Sequence, residues 1–414
     1  MFYFLPLLFL SFSAVSSVVV NEKLIPEFLE KSPNVQHFQA RLESVQKLKG
    51  SLTRSFLPEV KLTYGRERFT TGPYHSLNQA YGGVEAEVNL YNSGRDALEN
   101  ESREKKSRLA EIDMEITKAK LISEAKIALA NLAYLKEVLV IIENAISINS
   151  RNISGARKRI NAGLTTKTDL IDFNQQKIAL QQEFESIKFE QGVVERLLAV
   201  LLGIDPKEEI IVQHENSHPE HVEEDETVLS SKNSMLIQKA DIFSEIAKLE
   251  KSTAKRWWAP KFDIYSYAVR FTQKEREYDD PGDRNDVTFG FRFTLPLFDG
   301  GESIREAAAR TALARAAERE LKQKSLEIEK ETLDAQKKLE LAHTLIHGAE
   351  ESVELMTEYR LAVINEYSKG VKNSPDVLQA TQRWIDAKIK FADVKKNYQI
   401  AKAEALYLKD LSGK

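Results

Sequence analysis

Two short segments of the chain place an acidic residue at the same distance after a glycine. Asp169 lies six positions after Gly163 in KRINAGLTTKTDLID, and Asp376 lies six positions after Gly370 in INEYSKGVKNSPDVLQA. Helix-like sequence flanks both segments, and each glycine suits a tight helix-to-helix turn that needs a positive φ. A carboxylate in the first turn of the following helix is favoured by the helix dipole. The pattern therefore predicts two equivalent turns, each followed by a helix with an acidic start.

No motif in the chain encodes the chemistry of an enzyme. We find no phosphate loop, nucleophile elbow or metal-ligand motif. The chain has no cysteine, which excludes thiolate metal sites and a cysteine nucleophile. His214, His218 and His221 lie near carboxylates, but their segment is acidic and contains proline, which favours a solvated loop over a metal site. We expect no catalytic residue, no metal and no cofactor.

Composition limits the class of protein further. The 414 residues include 59 Lys and Arg against 63 Asp and Glu, a net charge of -4, which argues against a dedicated nucleic-acid binder. Only 17 Gly and 11 Pro are present, which is typical of long uninterrupted helices. The apolar run Phe2 to Phe12, followed by small residues, predicts a secretion signal at 1–17. The alternative is a buried N-terminal helix or anchor, since no Lys or Arg precedes the run. Since no later segment suits a transmembrane helix, any membrane-spanning part would consist of strands.

The chain carries an internal two-fold repeat. Three pairs of residues keep one offset of 207 positions: Gly94 with Gly301, Gly163 with Gly370, and Asp169 with Asp376. Upstream, FLPEVKLTY matches WAPKFDIYS. We predict a first structural repeat at 18–203, a polar linker at 204–227 and a second repeat at 228–414.

Two stretches in each repeat alternate apolar and polar residues, as strands with one apolar face do. The predicted strands are 58–69, 80–91, 260–271 and 287–298. Each has about the length of a tilted membrane strand, so three chains could close a barrel with a polar interior. The alternative is a soluble antiparallel sheet with one wet face, but its charged face would make a poor closed core.

Aromatic residues near the strand ends are candidates for a membrane interface. We predict that the pairs Trp257–Trp258 and Tyr265–Tyr267 anchor one interface, and that Tyr91 and Phe298 lie at the opposite strand ends in a second girdle.

Long helices follow the strands of each repeat. We predict helices at 95–162 and 302–369, tips at 163–168 and 370–375, and returning helices at 169–202 and 376–412. Apolar residues beside the first tip recur at spacings of three and four, which favours antiparallel helical hairpins. A long helix would span about 100 Å, and a returning helix only about 58 Å. Helical segments at 25–55 and 228–256, which open the repeats, would extend the returning helices.

Six motifs carry a resemblance to a known family: LPEV and WAPK before the strands, LYNSGR and LFDGGE after them, and the loops GLTTKTDL and GVKNSPDV. They resemble the TolC family of outer-membrane channels in bacterial efflux pumps and type I secretion systems. The resemblance covers essentially the whole chain after the predicted signal. It implies an α+β, mostly helical homotrimer. Its long antiparallel helical hairpins form an α-barrel across the periplasm, and four strands per protomer contribute to a twelve-stranded transmembrane β-barrel.

The resemblance also implies a gate at the periplasmic mouth. It implies that Tyr367 bonds Asp169 and that Lys372 contacts Thr168. It further implies a ring of carboxylates, in which Asp376 matches one layer while Gln379 stands at the second acidic position. Lysine in place of the family's arginine loses bidentate geometry, which weakens the second link. The structural alternative is that both aspartates only start helices and that Tyr367 only packs between them.

The function implied is a passive export duct for small molecules or proteins. A periplasmic adaptor, or membrane fusion protein, and an inner-membrane transporter would open it. The adaptor-contacting residues implied at the tips are Gly163, Leu164, Thr165, Gly370 and Val371. The alternative is a soluble periplasmic coiled-coil scaffold or adaptor protein with a small sheet, which would stay soluble without detergent.

Overall fold

The computed structural model describes residues 17–50, 55–71, 75–163, 167–212, 233–273 and 283–412. The described chain is mostly helical and divides into two compact units. One unit consists of Arg41–Asp113 and Ile237–Lys324 and contains the larger sheet. The other contains the remaining described residues and most of the long helices.

Seven helices lie in the described chain: α1 (Ile25–Lys31), α2 (Pro33–Leu48), α3 (Arg95–Asn161), α4 (Lys167–Leu202), α5 (Met235–Ala254), α6 (Glu302–Ser368) and α7 (Ser374–Leu411). The helices α3 and α6 have 67 residues each, which gives a length of about 100 Å at 1.5 Å per residue. Both keep a helical backbone through an interior glycine, Gly155 in α3 and Gly348 in α6. None of the described helices is long and apolar enough to cross a membrane.

The helical segment that opens the first repeat is not continuous. We predicted one helix over 25–55, but α1 ends at Lys31 and α2 begins at Pro33. Ser32 adopts an extended backbone, as residues before proline commonly do, and its hydroxyl accepts a hydrogen bond from Val35 N over 3.3 Å. Ser32 thus ends one helix and caps the next.

The larger sheet is antiparallel in the order β2-β3-β5-β6: β2 is Glu59–Thr71, β3 is His75–Tyr91, β5 is Lys261–Gln273 and β6 is Asp283–Thr294. The sequence predicted all four strands but misplaced three of their ends by four residues or more. One is the start of β6, which lies at Asp283 and not at 287 because Asp283 pairs with Thr272. β3 begins five residues before position 80, because it pairs with β2 up to the Thr71–His75 pair. β6 ends at Thr294, not at 298, because Thr294 pairs with the first residue of β5 and Pro296 has no N–H to donate.

The register places apolar residues of all four strands on one face. Leu62 pairs with Val84, Val84 with Ala268, and Ala268 with Val287, so one apolar row crosses the whole sheet. On β6 the apolar side chains are largely exposed in the single chain, with Phe291 at 83%. This confirms the predicted alternation.

The opposite face of the sheet is charged. Lys261 lies 2.9 Å from Asp263 and 3.4 Å from Glu87, and Arg292 lies 3.6 Å from Glu87. Tyr265 stacks on Tyr267 on this same face, with 6.2 Å between the ring centroids.

Two predictions about the aromatic residues are wrong. Tyr265 belongs to the charged face, where the guanidinium of Arg292 lies 4.7 Å from its ring centroid. The two tyrosines therefore do not lie with the apolar residues. Tyr91 pairs with Phe262, next to the start of β5. Tyr91 and Phe298 thus belong to the same end of the sheet as Trp258, not to the opposite end.

A second, small sheet replaces part of the predicted linker. The segment 204–227 was expected to be a polar linker, yet β4 (Glu209–Val212) pairs in parallel with β1 (Ser17–Val20). Its residue Ile210 is 1% exposed and packs in a core cluster with Val20 and Leu132. The apolar run EIIV gains this burial only through its pairing with β1, which lies far away in sequence.

Three further core clusters lie along the helices of the second unit. One joins α3, α4, α6 and α7 near the two turns: Ile153, Ala156, Phe173, Val363, Tyr367, Val377 and Ala380 are all buried there. The predicted hairpin packing is seen where Asn149 Nδ2 of α3 donates to the carbonyl of Phe173 in α4 over 2.7 Å.

Candidate functional site: the two helical tips

The two helix-to-helix turns are built in the same way. Helix α3 ends at Asn161 and is followed by Gly163 with φ 71°, and α6 ends at Ser368 and is followed by Gly370 with φ 81°. Residues with a Cβ atom rarely adopt such a backbone. The predicted need for glycine at both turns is confirmed.

A buried tyrosine joins the two hairpins just before the second turn. Tyr367 Oη, on α6, donates to Asp169 Oδ2, in the first turn of α4, over 3.2 Å. The predicted pair is therefore in contact. Ser374 Oγ, at the start of α7, lies 2.9 Å from Asp169 Oδ1 and 3.3 Å from Asp172 Oδ2. Tyr367 precedes the turn of the second hairpin and Ser374 follows it. Both side chains thus contact carboxylates of α4, which belongs to the first hairpin.

The ring of Tyr367 is held from two sides. Arg159 of α3 places its guanidinium 4.2 Å from the ring centroid and also donates to the Tyr367 carbonyl. Phe173 of α4 meets the ring edge to face, with 6.2 Å between centroids. Burial raises the pKa of the Tyr367 hydroxyl, and the negative charge of Asp169 raises it further. The phenol therefore stays protonated as a hydrogen-bond donor throughout the neutral range.

Asp376 has a structural role in the fold. Its Oδ2 accepts from Asn373 N over 3.2 Å, while Asn373 Oδ1 accepts from Asp376 N over 3.2 Å, which forms a reciprocal capping box at the start of α7. Asp376 therefore does stabilise the start of α7, as the structural alternative predicted. Its place in a ring of carboxylates stays a prediction. Gln379 lies one turn further along α7 and is exposed.

The remaining predicted residues lie at the two turns or outside the described chain. Thr168 is exposed in the first turn of α4, and Lys372 is half-buried in the second turn. Their contact stays a prediction. Val371 is 71% exposed at the second tip. Leu164 and Thr165 lie outside the described residues, as do His214, His218 and His221.

Three residues of the cluster were not singled out as site residues from the sequence. Phe173 belongs to the apolar spacing that predicted the hairpin, so its burial could have been anticipated. Ser374 and Arg159 give no such signal, because nothing in their local sequence shows which carboxylate or ring they contact. Among the described residues, no group of three or more His, Asp or Glu side chains could hold a metal ion.

The family model for outer membrane efflux proteins matches the chain twice, over residues 24–199 and 232–408. These two matches correspond to the two repeats. No curated protein matches the chain in sequence.

Solved structures with this fold span nearly the whole chain. The outer membrane protein VceC of Vibrio cholerae is 16% identical, with a TM-score of 0.77 over 94% of this chain and 96% of that one. The CmeC outer membrane channel of Campylobacter jejuni is 14% identical, with a TM-score of 0.77 over 97% and 90%. The open state of the MtrE outer membrane channel of Neisseria gonorrhoeae is 14% identical, with a TM-score of 0.73 over 95% and 88%.

The family match covers both repeats, and these neighbours are channels rather than enzymes. The chain therefore belongs to the outer membrane efflux protein family and has the fold of its channels.

Proposed function

We propose that the protein is the outer-membrane duct of an export system and works as a homotrimer. The observation that carries this proposal is the two-faced sheet with open edges. Its apolar face is exposed, its other face is charged, and its edge strands β2 and β6 have free backbone donors and acceptors. Three copies joined from β6 to β2 would close a twelve-stranded barrel with an apolar exterior and a charged, water-filled interior.

The helices supply the periplasmic part of the duct. In three copies, α3, α4, α6 and α7 would give twelve helical walls. A helix of about 100 Å would carry the duct far into the periplasm. The proposed duct is passive, and an inner-membrane transporter drives the export.

The tip cluster fits a gate. Tyr367, Asp169 and Ser374 tie the two hairpins together beside their turns. Breaking these bonds would let the hairpins separate. Lys372 with Thr168 would form a second tie, and Asp376 would provide a single ring of three carboxylates, with Gln379 uncharged at the next layer.

A periplasmic adaptor would engage the exposed turns and favour the open mouth. The turn residues Gly163, Leu164, Thr165, Gly370 and Val371 would be its contacts. Val371 is an exposed apolar side chain at the second turn, as an adaptor contact would be.

Single-channel recording in a planar bilayer tests the proposal. Protein extracted with detergent should insert and show a small, long-lived conductance, since the mouth is tied shut, and it should migrate as a trimer. Solubility without detergent together with no conductance would refute the duct and leave the soluble scaffold.

A further inference from the structure

The first hairpin carries a concentration of positive charge toward its turn. From position 144 to 168 the chain has no Asp or Glu but has five basic residues: Arg151, Arg157, Lys158, Arg159 and Lys167. Arg159 is engaged with Tyr367. The other four are exposed, and we call them the basic tip.

The basic tip is not neutralised by its own chain. Across the ranges that the structure describes, none of Arg151, Arg157, Lys158 and Lys167 lies in an ion pair. Arg151 lies near a second cation, Arg360 of α6, whose buried Nε has no hydrogen-bond partner among the described residues. Burial lowers the pKa of the Arg360 guanidinium, and the positive charge of Arg151 lowers it further. Two positively charged side chains, Arg151 and Arg360, therefore lie close together among the described residues.

The second hairpin does not repeat this positive charge at the matching positions. The offset of 207 positions places Arg151 opposite Glu358 and Lys158 opposite Asn365 in the repeat. Glu351, Glu354 and Glu358 of α6 are all exposed. Two hairpins with the same backbone plan thus present different charges, so the positive charge is not a requirement of the hairpin fold.

The surface around the basic tip does not suit a lipid bilayer. Helices that lie on a membrane combine basic residues with exposed large apolar side chains. Between Val140 and Gly163 no large hydrophobic residue of α3 is exposed. Apart from Glu143 and Ala162, the exposed residues there are Asn, Ser, Arg and Lys, a polar surface that suits charge pairing with a protein.

We propose that the basic tip is a docking surface for an acidic segment of a periplasmic protein partner. The inference rests on the proposed function, which places the turns at the periplasmic mouth. Arg151 and Lys158 lie two turns apart on one face of α3, about 10 Å along its axis, so they match an extended acidic surface rather than a single small anion. Complementary charge of this kind steers encounter and fixes which hairpin a partner meets.

Binding of a charged peptide to the full-length protein in detergent tests the proposal. The probes are a fluorescently labelled helical peptide of Glu and Ala, about twenty residues long, and its counterpart of Lys and Ala. We expect the Glu peptide to bind in preference to the Lys peptide, and added salt to weaken its binding. The double variant Arg151→Glu with Lys158→Glu should weaken Glu-peptide binding by at least about tenfold.

The repeat provides matched controls. Asn365→Glu is compared with the single variant Lys158→Gln, because each lowers the net charge by one. Lys158→Gln should weaken binding, whereas Asn365→Glu, at the equivalent position of the second hairpin, should change the affinity by less than about twofold. Glu358→Arg copies Arg151 onto the second hairpin and should strengthen binding.

An equal loss in Asn365→Glu would overturn the inference, because it would show an effect of net charge alone. Absence of Glu-peptide binding at low salt would also overturn it, as would binding only to phosphatidylglycerol vesicles. Conductance of the same preparations separates the two proposals. Conducting trimers that do not bind the Glu peptide refute the docking surface only, whereas loss of conducting trimers refutes the duct.

Discussion

Tyr367 and Asp169 lie 198 positions apart and are joined by a hydrogen bond of 3.2 Å between the phenol oxygen and a carboxylate oxygen. The tyrosine lies in the last turn of α6 and the aspartate in the first turn of α4, so the bond links the two hairpins. The hydroxyl is enclosed, since Tyr367 is only 8% exposed. A hydrogen bond to a charged acceptor contributes about 1.5–3 kcal/mol, enough to control whether two helical ends stay together.

Tyr367→Phe should open the mouth. The substitution removes the donor to Asp169 but keeps the ring against Phe173 and Arg159. Loss of about 1.4 kcal/mol would raise the open population about tenfold, and single-channel recording should show it as a larger or more frequent conductance. Tyr359→Phe is the control, because Tyr359 lies on the same helix and is partly exposed. If both variants conduct like the wild type, the hydrogen bond of Tyr367 does not hold the mouth closed, and the side chain contributes only to packing.

Alkaline pH should open the same gate, and neutral pH should not. The pKa of Tyr367 is raised by burial and then by Asp169, so the protonated form is favoured in the folded state. The bond's contribution is fully present below the ordinary tyrosine pKa of about 10 and is lost as pH rises through the higher folded value. Conductance should be flat from about pH 7 to 9 and rise only above about pH 10. Tyr367→Phe should lack this rise, and a rise at neutral pH would contradict the assignment.

Ser374→Ala should couple energetically to Tyr367→Phe. Both hydroxyls contact Asp169, so removing one changes what the other contributes. A double-mutant cycle on thermal unfolding in detergent should give an interaction energy of at least about 0.5 kcal/mol. Ser412→Ala is the matched control, since its hydroxyl contacts only the carbonyl of Lys409 in its own helix. Strict additivity of the first pair would show that the contacts act separately.

Gln379→Asp should strengthen block by multivalent cations. With Asp376 alone a trimer has one ring of three carboxylates, which predicts weak block and little pH sensitivity. A second ring should tighten block, while Asp376→Asn should abolish it and still accept the capping hydrogen bond from Asn373. Current reduction by a trivalent cation measures both effects. Wild-type block as tight as that of Gln379→Asp would place the constriction elsewhere.

Phe291→Lys should destabilise the assembled sheet in the membrane. The side chain lies on the exposed apolar face of β6, where a lysine in lipid costs about 2–4 kcal/mol near the bilayer midplane. Thr288→Lys lies three residues away on the charged face and should be tolerated. Trimer yield after detergent extraction distinguishes them. Equal tolerance of both lysines would show that the apolar face does not meet lipid.

Local residue patterns predicted the strands and the two turns between the long helices. Alternation of apolar residues in 287–298 identified a strand, and the repeated glycines identified two turns, because both signals are local and depend on backbone geometry. Strand ends were less predictable. The end of β6 at Thr294 depends on where its partner β5 begins, which is a property of pairing and not of the β6 sequence.

The small parallel sheet also depends on pairing that the local sequence does not reveal. The run EIIV at Glu209–Val212 looks like part of a polar connection until β1 lies beside it. Pairing between segments almost 200 positions apart leaves no local pattern.

The sequence by itself determined the two-fold repeat, the hairpins and the two-faced strands, since periodicity and glycine placement act over a few residues. The resemblance to a known family pointed to Tyr367 and Asp169 as a pair. Only the tertiary structure showed that Ser374 joins them, that Arg159 covers the ring, and that Asp376 caps α7 through reciprocal hydrogen bonds with Asn373. These roles depend on which side chains four helices bring within hydrogen-bond distance, and that proximity is decided by packing rather than by spacing along the chain.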